Sequence, residues 1–119
     1  MQRFCLLLLL FAAGCAAPSR PSVSAGHDAD SMFAQIADAF LEGYLAWRPQ
    51  MAVGLGLHQY DGKVTDLSRS SLDGELARLK RFDRQLAGLQ TEALSQRAFY
   101  DYCLLRATIQ KELFRFEEK

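Results

Sequence analysis

The fold class is decided by residues 72–89, LDGELARLKRFDRQLAGL, in which apolar side chains recur every three or four positions. This period places them on one face of an amphipathic helix. The residues between them are mostly charged and predict a solvated outer face. Ser70 and Asp73 have the spacing of a capping box, so we expect the helix to begin around Ser68–Ser71. The predicted apolar stripe consists of Leu72, Leu76, Leu79, Phe82, Leu86 and Leu89.

Two further segments show the same period. The first is capped by Asp30 or Ser31 and ends near Trp47 or Arg48, because a residue that precedes proline avoids the helical conformation. The second begins at Ser95 and continues to the last residues. Their stripes consist of Phe33, Ile36, Ala37, Phe40, Leu41, Tyr44 and Leu45, and of Phe99, Tyr102, Leu105, Ile109, Leu113 and Phe116.

Residues 49–56, PQMAVGLG, predict a short helix with Pro49 at its first position and glycines at its end. Asp61-Gly62 indicates a turn, and we predict a loop there, with a short hairpin as the alternative. The sequence has no internal repeat and no strand-like run long enough to build a sheet. We therefore predict an all-α fold with three long amphipathic helices plus one short helix.

The N-terminus, MQRFCLLLLLFAAGC, has the layout of a secretory signal: one basic residue, an apolar run and a small-residue cleavage region. The apolar run is shorter than the ~20 residues that a membrane-spanning helix needs. Residues 12–15 resemble a bacterial lipobox, which implies cleavage after residue 14 and a diacylglyceryl group on Cys15. The alternatives are an ordinary cleaved signal and an uncleaved N-terminus.

These features predict three regions: a signal peptide (1–14), a lipid-anchored flexible tether (15–30) and a helical domain (31–119). No Gly, Asn or Pro follows the last stripe, so the domain is either incomplete at its C-terminus or ends in a frayed helix. The lipid on Cys15 would make the membrane a partner. Ala16 after it implies the outer membrane of the cell envelope, facing the periplasm, with a secreted or periplasmic protein as the alternative.

Charge and motifs exclude several function classes. The chain has equal numbers of basic and acidic residues, 14 of each, which offers no electrostatic case for nucleic acid. The histidines, His27 and His58, lack the spacing of a zinc site, and no nucleophile motif is present. Gly54-Leu55-Gly56 is more typical of a helix end than of a phosphate-binding loop. We assign no catalytic residue, metal ligand or cofactor to this chain.

The stretch FLEGYLAWRPQMAVGLGLHQYDGKVTDLSRSS (40–71) and the later YDYCLLRATIQKELFRFEE (100–118) together resemble the N-terminal part of a bacterial family, domain of unknown function 885. Members of that family are often lipoproteins and are similar to all-helical zinc metallopeptidases. The resembling positions include Pro49, the segment 52–56, His58, Tyr60-Asp61, Asp66-Leu67-Ser68 and, in the later stretch, Asp101, Leu104, Ile109, Glu112 and Leu113.

The resemblance implies an N-terminal scaffold fragment of a secreted, lipid-anchored metallopeptidase-like hydrolase. The fragment would be inactive alone, because the family's histidine–glutamate metal motif lies downstream, and zinc and a peptide-like substrate belong only to the full-length protein. His58, Tyr60 and Asp61 are the candidates for lining its cleft. The alternative is a complete small helical envelope lipoprotein that acts as a binding or structural module.

Overall fold

The computed structural model describes residues 23–117, which form four α-helices: Val23–Trp47 (α1), Pro49–Gly54 (α2), Arg69–Ala87 (α3) and Gln96–Glu117 (α4). Two 3₁₀ turns, His58–Tyr60 and Thr91–Ala93, lie in the connections. These described residues contain no strand, so the predicted all-α fold of three long helices and one short helix is confirmed. The predicted signal peptide and Cys15 lie outside the described residues.

The three long helices form an up-down-up bundle. α1 and α3 are antiparallel, because Trp47 near the end of α1 donates to Ser71 near the start of α3. α4 is antiparallel to α3 as well, and it therefore runs parallel to α1. Two contacts show that α1 and α4 are parallel. Phe33 packs against Tyr102 in the N-terminal halves of the two helices, and Tyr44 donates to Glu112 in their C-terminal halves.

The core lies where the three predicted stripes meet. Phe40 of α1 packs edge-on against Phe82 of α3, with ring centroids 5.5 Å apart, and stacks on Tyr44. Two members of the predicted stripes, Leu41 and Phe99, are exposed instead. The buried core consists of Phe33, Phe40, Leu79, Phe82, Leu86, Ala98, Tyr102 and Ile109.

One predicted helix start and one predicted cap are wrong, whereas α3 begins within the predicted range 68–71. α1 begins at Val23 rather than at residues 30–31, so residues 23–30 of the predicted tether are helical. This early segment has tertiary partners: Asp30 does not cap α1 but accepts the Ser95 amide at 2.8 Å, ahead of α4. α3 is capped by Ser68, which accepts the Ser71 amide, because Ser68 has the extended backbone that a cap requires and Ser70 already lies inside the helix.

The remaining boundaries match the sequence prediction. Pro49 is the first residue of α2, and Ser95 caps α4 by accepting the Ala98 amide. The segment after α2 is a loop with a 3₁₀ turn rather than a hairpin. Gly56 and Gly62 lie at bends of this loop and have positive φ angles of 83° and 76°. Residues with a Cβ adopt this backbone conformation only with strain.

Candidate functional site

The three residues predicted to line a cleft lie together in the loop between α2 and α3. His58 and Tyr60 bound a 3₁₀ turn, and Asp61 follows it directly. The His58 Nδ1 lies 3.2 Å from the Asp61 Oδ2, and both side chains are mostly exposed. Tyr60 is half-buried, with the Lys63 amino group 5.1 Å from its ring centroid. The loop therefore presents an imidazole and a carboxylate to solvent as a hydrogen-bonded pair.

Exposed apolar side chains precede and follow this pair in the chain, on α2 and in the loop. A large contiguous patch of exposed apolar side chains often marks a surface where another molecule or segment binds. We call the group the α2–loop surface, and it consists of Met51, Val53, Leu55, Val64 and Leu67, all of which are exposed.

A buried ionic cluster lies at the same end of the bundle. The Arg48 guanidinium donates to Glu75 of α3 at 3.2 Å and to Glu112 of α4 at 2.7 Å. Both glutamates are only 3% exposed. One side chain at the end of α1 therefore ties the other two long helices together.

The break between α1 and α2 explains where Arg48 lies. Because Arg48 precedes Pro49, it leaves the helical conformation, with φ −120° and ψ 63°. Its guanidinium then lies over two aromatic rings of α1, 4.0 Å from the Tyr44 centroid and 4.8 Å from that of Trp47. Stacking on aromatic faces suits the planar guanidinium and holds it in place for both carboxylates.

Other polar groups complete this cluster. Arg78 grips Glu75 with two hydrogen bonds, at 2.7 Å and 2.9 Å, and also donates to the Phe40 carbonyl. Glu112 accepts longer hydrogen bonds from Arg115, at 3.3 Å, and from Tyr44, at 3.4 Å. Burial raises the pKa of Tyr44, and the neighbouring Glu112 carboxylate raises it further. We call Arg48, Glu75, Arg78 and Glu112 the arginine–glutamate cluster.

The chemistry of this cluster is structural. A carboxylate whose oxygens accept from guanidinium groups is not free to act as a base, and a buried pair of this kind stabilises only when all its hydrogen bonds are made. Within residues 23–117, every buried side-chain nitrogen or oxygen has a hydrogen-bond partner. The cluster thus holds α1, α3 and α4 in one arrangement beside the α2–loop surface.

This cluster was not predicted from the sequence, although a signal was present. Glu75 precedes Leu79 by four positions and Glu112 follows Ile109 by three, so both occupy core positions of their stripes. Two carboxylates in apolar stripes require a buried cation. Arg48, next to the proline that ends α1, pairs with both glutamates.

A groove of about 480 Å³ runs between the parallel helices α1 and α4. Its floor includes the buried rings of Phe33 and Phe40, while Leu41 and Leu104 are exposed beside it. The groove also contains a carboxylate from each helix, Asp38 and Asp101. The three predicted cleft residues do not line it, so this α1–α4 groove is a second surface, separate from the loop.

Two negative findings concern the described part of the chain. Across residues 23–117, no three His, Cys, Asp or Glu side chains lie close enough to hold a metal ion together. The helices within that range also include none that is both long and apolar enough to span a bilayer.

Comparison with known proteins adds no family assignment. No protein-family model matches this chain, and no curated protein or solved structure is significantly similar to it. The resemblance to domain of unknown function 885 accordingly stays a prediction from the sequence.

Proposed function

We propose that this chain is the N-terminal scaffold of a secreted, lipid-anchored metallopeptidase-like hydrolase and has no activity alone. The observation that carries the proposal is the α2–loop surface, held against a bundle that the arginine–glutamate cluster fixes. A scaffold needs both parts: a rigid frame and an apolar surface against which the rest of the enzyme packs. The stretch of sequence that resembles the family, residues 40–71, contains this whole surface.

In this proposal, His58, Tyr60 and Asp61 form part of the wall of the substrate cleft. They lie in the same loop as Leu55, Val64 and Leu67 of the α2–loop surface, so the packing of a further domain against this loop would bring them next to its active site. His58 and Asp61 already form a pair at 3.2 Å, which would orient the imidazole toward a peptide-like substrate. Their role is to position substrate, not to perform chemistry.

Zinc, the metal that the resemblance implies, does not fit the residues of this chain. A catalytic zinc site takes three protein ligands and leaves one position open for water. Among residues 23–117, no third side chain of a metal-binding type joins His58 and Asp61, and His27 lies on a different element, α1. The ligands would come from a downstream histidine–glutamate segment, and we derive no step of zinc chemistry from the residues in hand.

The chain on its own provides the first test. With added zinc it should hydrolyse neither a mixture of short peptides nor an ester substrate. Turnover above that of a boiled sample, lost in His58→Ala, would show that the described residues form an active site and would refute the scaffold role.

The envelope location is part of the proposal and rests on residues 12–16. Mass spectrometry of the protein from a bacterial host should find an N-terminal Cys15 that carries a diacylglyceryl group. Cys15→Ser should remain uncleaved at this site and carry no lipid. An unmodified mature N-terminus at another residue would point to the secreted or periplasmic alternative.

A second candidate function, a complete small envelope lipoprotein that acts as a binding module, is favoured by the α1–α4 groove. The two candidate functions differ in whether the bundle is stably folded without a further domain. A complete module should melt as a monomer in one sharp, reversible transition, whereas a scaffold that lacks its partner domain should expose apolar surface, bind a hydrophobic dye and aggregate on heating.

A further inference from the structure

The α1–α4 groove combines an apolar floor with charges of a single sign. Among residues 23–117, the charged side chains that line it are both carboxylates, Asp38 from α1 and Asp101 from α4. The whole of α1 carries acidic residues at Asp28, Asp30, Asp38 and Glu42 and contains neither lysine nor arginine. A ligand of this groove must therefore offer apolar surface together with positive charge.

The dimensions match a short helix. The α1 side of the groove runs from Phe33 to Tyr44, which is about 16 Å at 1.5 Å per helical residue, or three turns. A helix that binds in a groove of this kind inserts side chains at positions i, i+3 or i+4, and i+7, which cover two turns. Leu41 and Leu104 are both exposed, and such side chains would cover them.

We propose that the α1–α4 groove binds a short, cationic amphipathic helix of a partner protein. The apolar face of that helix would cover Leu41 and Leu104, and its lysine or arginine side chains would pair with Asp38 and Asp101. This inference goes beyond the scaffold function and does not depend on it, because the groove shares no residue with the α2–loop surface.

Charge argues against two other occupants. An anionic membrane surface attracts basic segments, so the two carboxylates of the groove would be repelled by it. A second copy of this chain, joined by a two-fold axis through the groove, would bring Asp38 and Asp101 toward the same residues of its partner. Like charges placed opposite each other oppose association.

The test uses the full chain and two fluorescent peptides of about 12 residues, matched to the groove length by the helical rise. Both have leucines at helical spacing; one has lysines on the flanks and the other has glutamates at the same positions. The lysine peptide should bind saturably and at least about ten-fold more tightly than the glutamate peptide, since several close charge pairs favour only the former. Added salt should reduce this difference.

Matched variants locate the binding site. Leu104→Gln should weaken binding of the lysine peptide by about ten-fold or more, because a leucine side chain would lose its burial. Leu55→Gln is the control, since Leu55 is 67% exposed and Leu104 is 68% exposed. Removing the groove charges, with Asp38→Asn and Asp101→Asn together, should bring the affinities of the two peptides together. Asp28 lies on α1 but outside the groove, so Asp28→Asn should not change the affinity of either peptide.

Several results would overturn the inference. Equal binding of both peptides by the unaltered chain would show that charge does not select the occupant. Binding of neither peptide would show that the groove does not bind a short amphipathic helix. An equal loss in Leu55→Gln and Leu104→Gln would show that the peptide does not use the groove. Self-association that Leu104→Gln abolishes would make a second copy the occupant, and adsorption to anionic vesicles that Leu104→Gln abolishes would make it a membrane.

Discussion

Replacing Arg48 with methionine should greatly destabilise the bundle. The substitution keeps an unbranched apolar stem but removes the guanidinium that joins Glu75 to Glu112. Glu75 would keep its two hydrogen bonds from Arg78, whereas Glu112 would lose its 2.7 Å hydrogen bond from Arg48 and keep the longer ones from Arg115 and Tyr44. Leaving a buried carboxylate without its partner costs about 3–5 kcal/mol, a large part of a stability that is usually about 5–15 kcal/mol.

Urea unfolding, followed by circular dichroism, measures this loss. We expect the midpoint to fall by about 2 M, if unfolding has a typical urea dependence of about 2 kcal/mol per M. Arg69→Met is the matched control, because Arg69 pairs with Asp73 on the surface, where the side chains are 89% and 61% exposed. Loss of such an exposed pair should cost less than about 1 kcal/mol.

A second substitution tests the cause. If the penalty comes from an unpaired buried charge, adding Glu112→Gln to Arg48→Met removes that charge and should restore part of the stability. A double variant less stable than Arg48→Met would refute the reasoning. A loss in Arg48→Met no larger than that in Arg69→Met would do the same.

Three further predictions follow from other parts of the fold. Ile109 is 0% exposed, so Ile109→Ala should lower the free energy of unfolding, measured in urea, by about 2–5 kcal/mol. Leu104 is 68% exposed, so Leu104→Ala should change that free energy by less than about 1 kcal/mol, and similar losses in the two variants would contradict the assigned core. Gly62→Ala should destabilise by about 1 kcal/mol because φ is 76°, while Gly54→Ala, in α2 with open space around it, should be neutral or stabilising; the same sign for both would exclude this backbone explanation. Hydrogen bonds from Ser95, first from its side chain and then from its amide, lower the pKa of Asp30. Asp30 therefore contributes its full stabilisation above its unfolded pKa of about 3.9 and loses it as the pH falls through the lower folded pKa, so the stability difference between the unaltered chain and Asp30→Asn should shrink below about pH 4. A difference that stays constant to about pH 2 would contradict this role of Asp30.

The sequence predicted the helices well because their stability comes from periodic apolar faces. Leu79, Phe82, Leu86 and Ile109 are all buried as their spacing indicates. The start of α1 was missed because Asp30, assigned as its cap from the local sequence, makes a distant contact instead: it accepts the Ser95 amide from a position 65 residues away. Local capping rules do not include such contacts.

The functional surfaces were less predictable than the helices. Placing Glu75 opposite Glu112 required the packing of α3 against α4, which residue spacing on either helix alone does not specify. The α1–α4 groove likewise depends on two helices that are parallel neighbours in space and far apart in sequence. By contrast, His58, Tyr60 and Asp61 lie close in sequence, and the structure does bring them together.

The most direct test of the scaffold proposal is to sequence the DNA beyond codon 119 in all three forward frames. The proposal predicts a continuation of several hundred codons that contains a histidine–glutamate metal motif. A genuine stop codon, with no related reading frame beyond it, would contradict the proposal and leave a small anchored helical module.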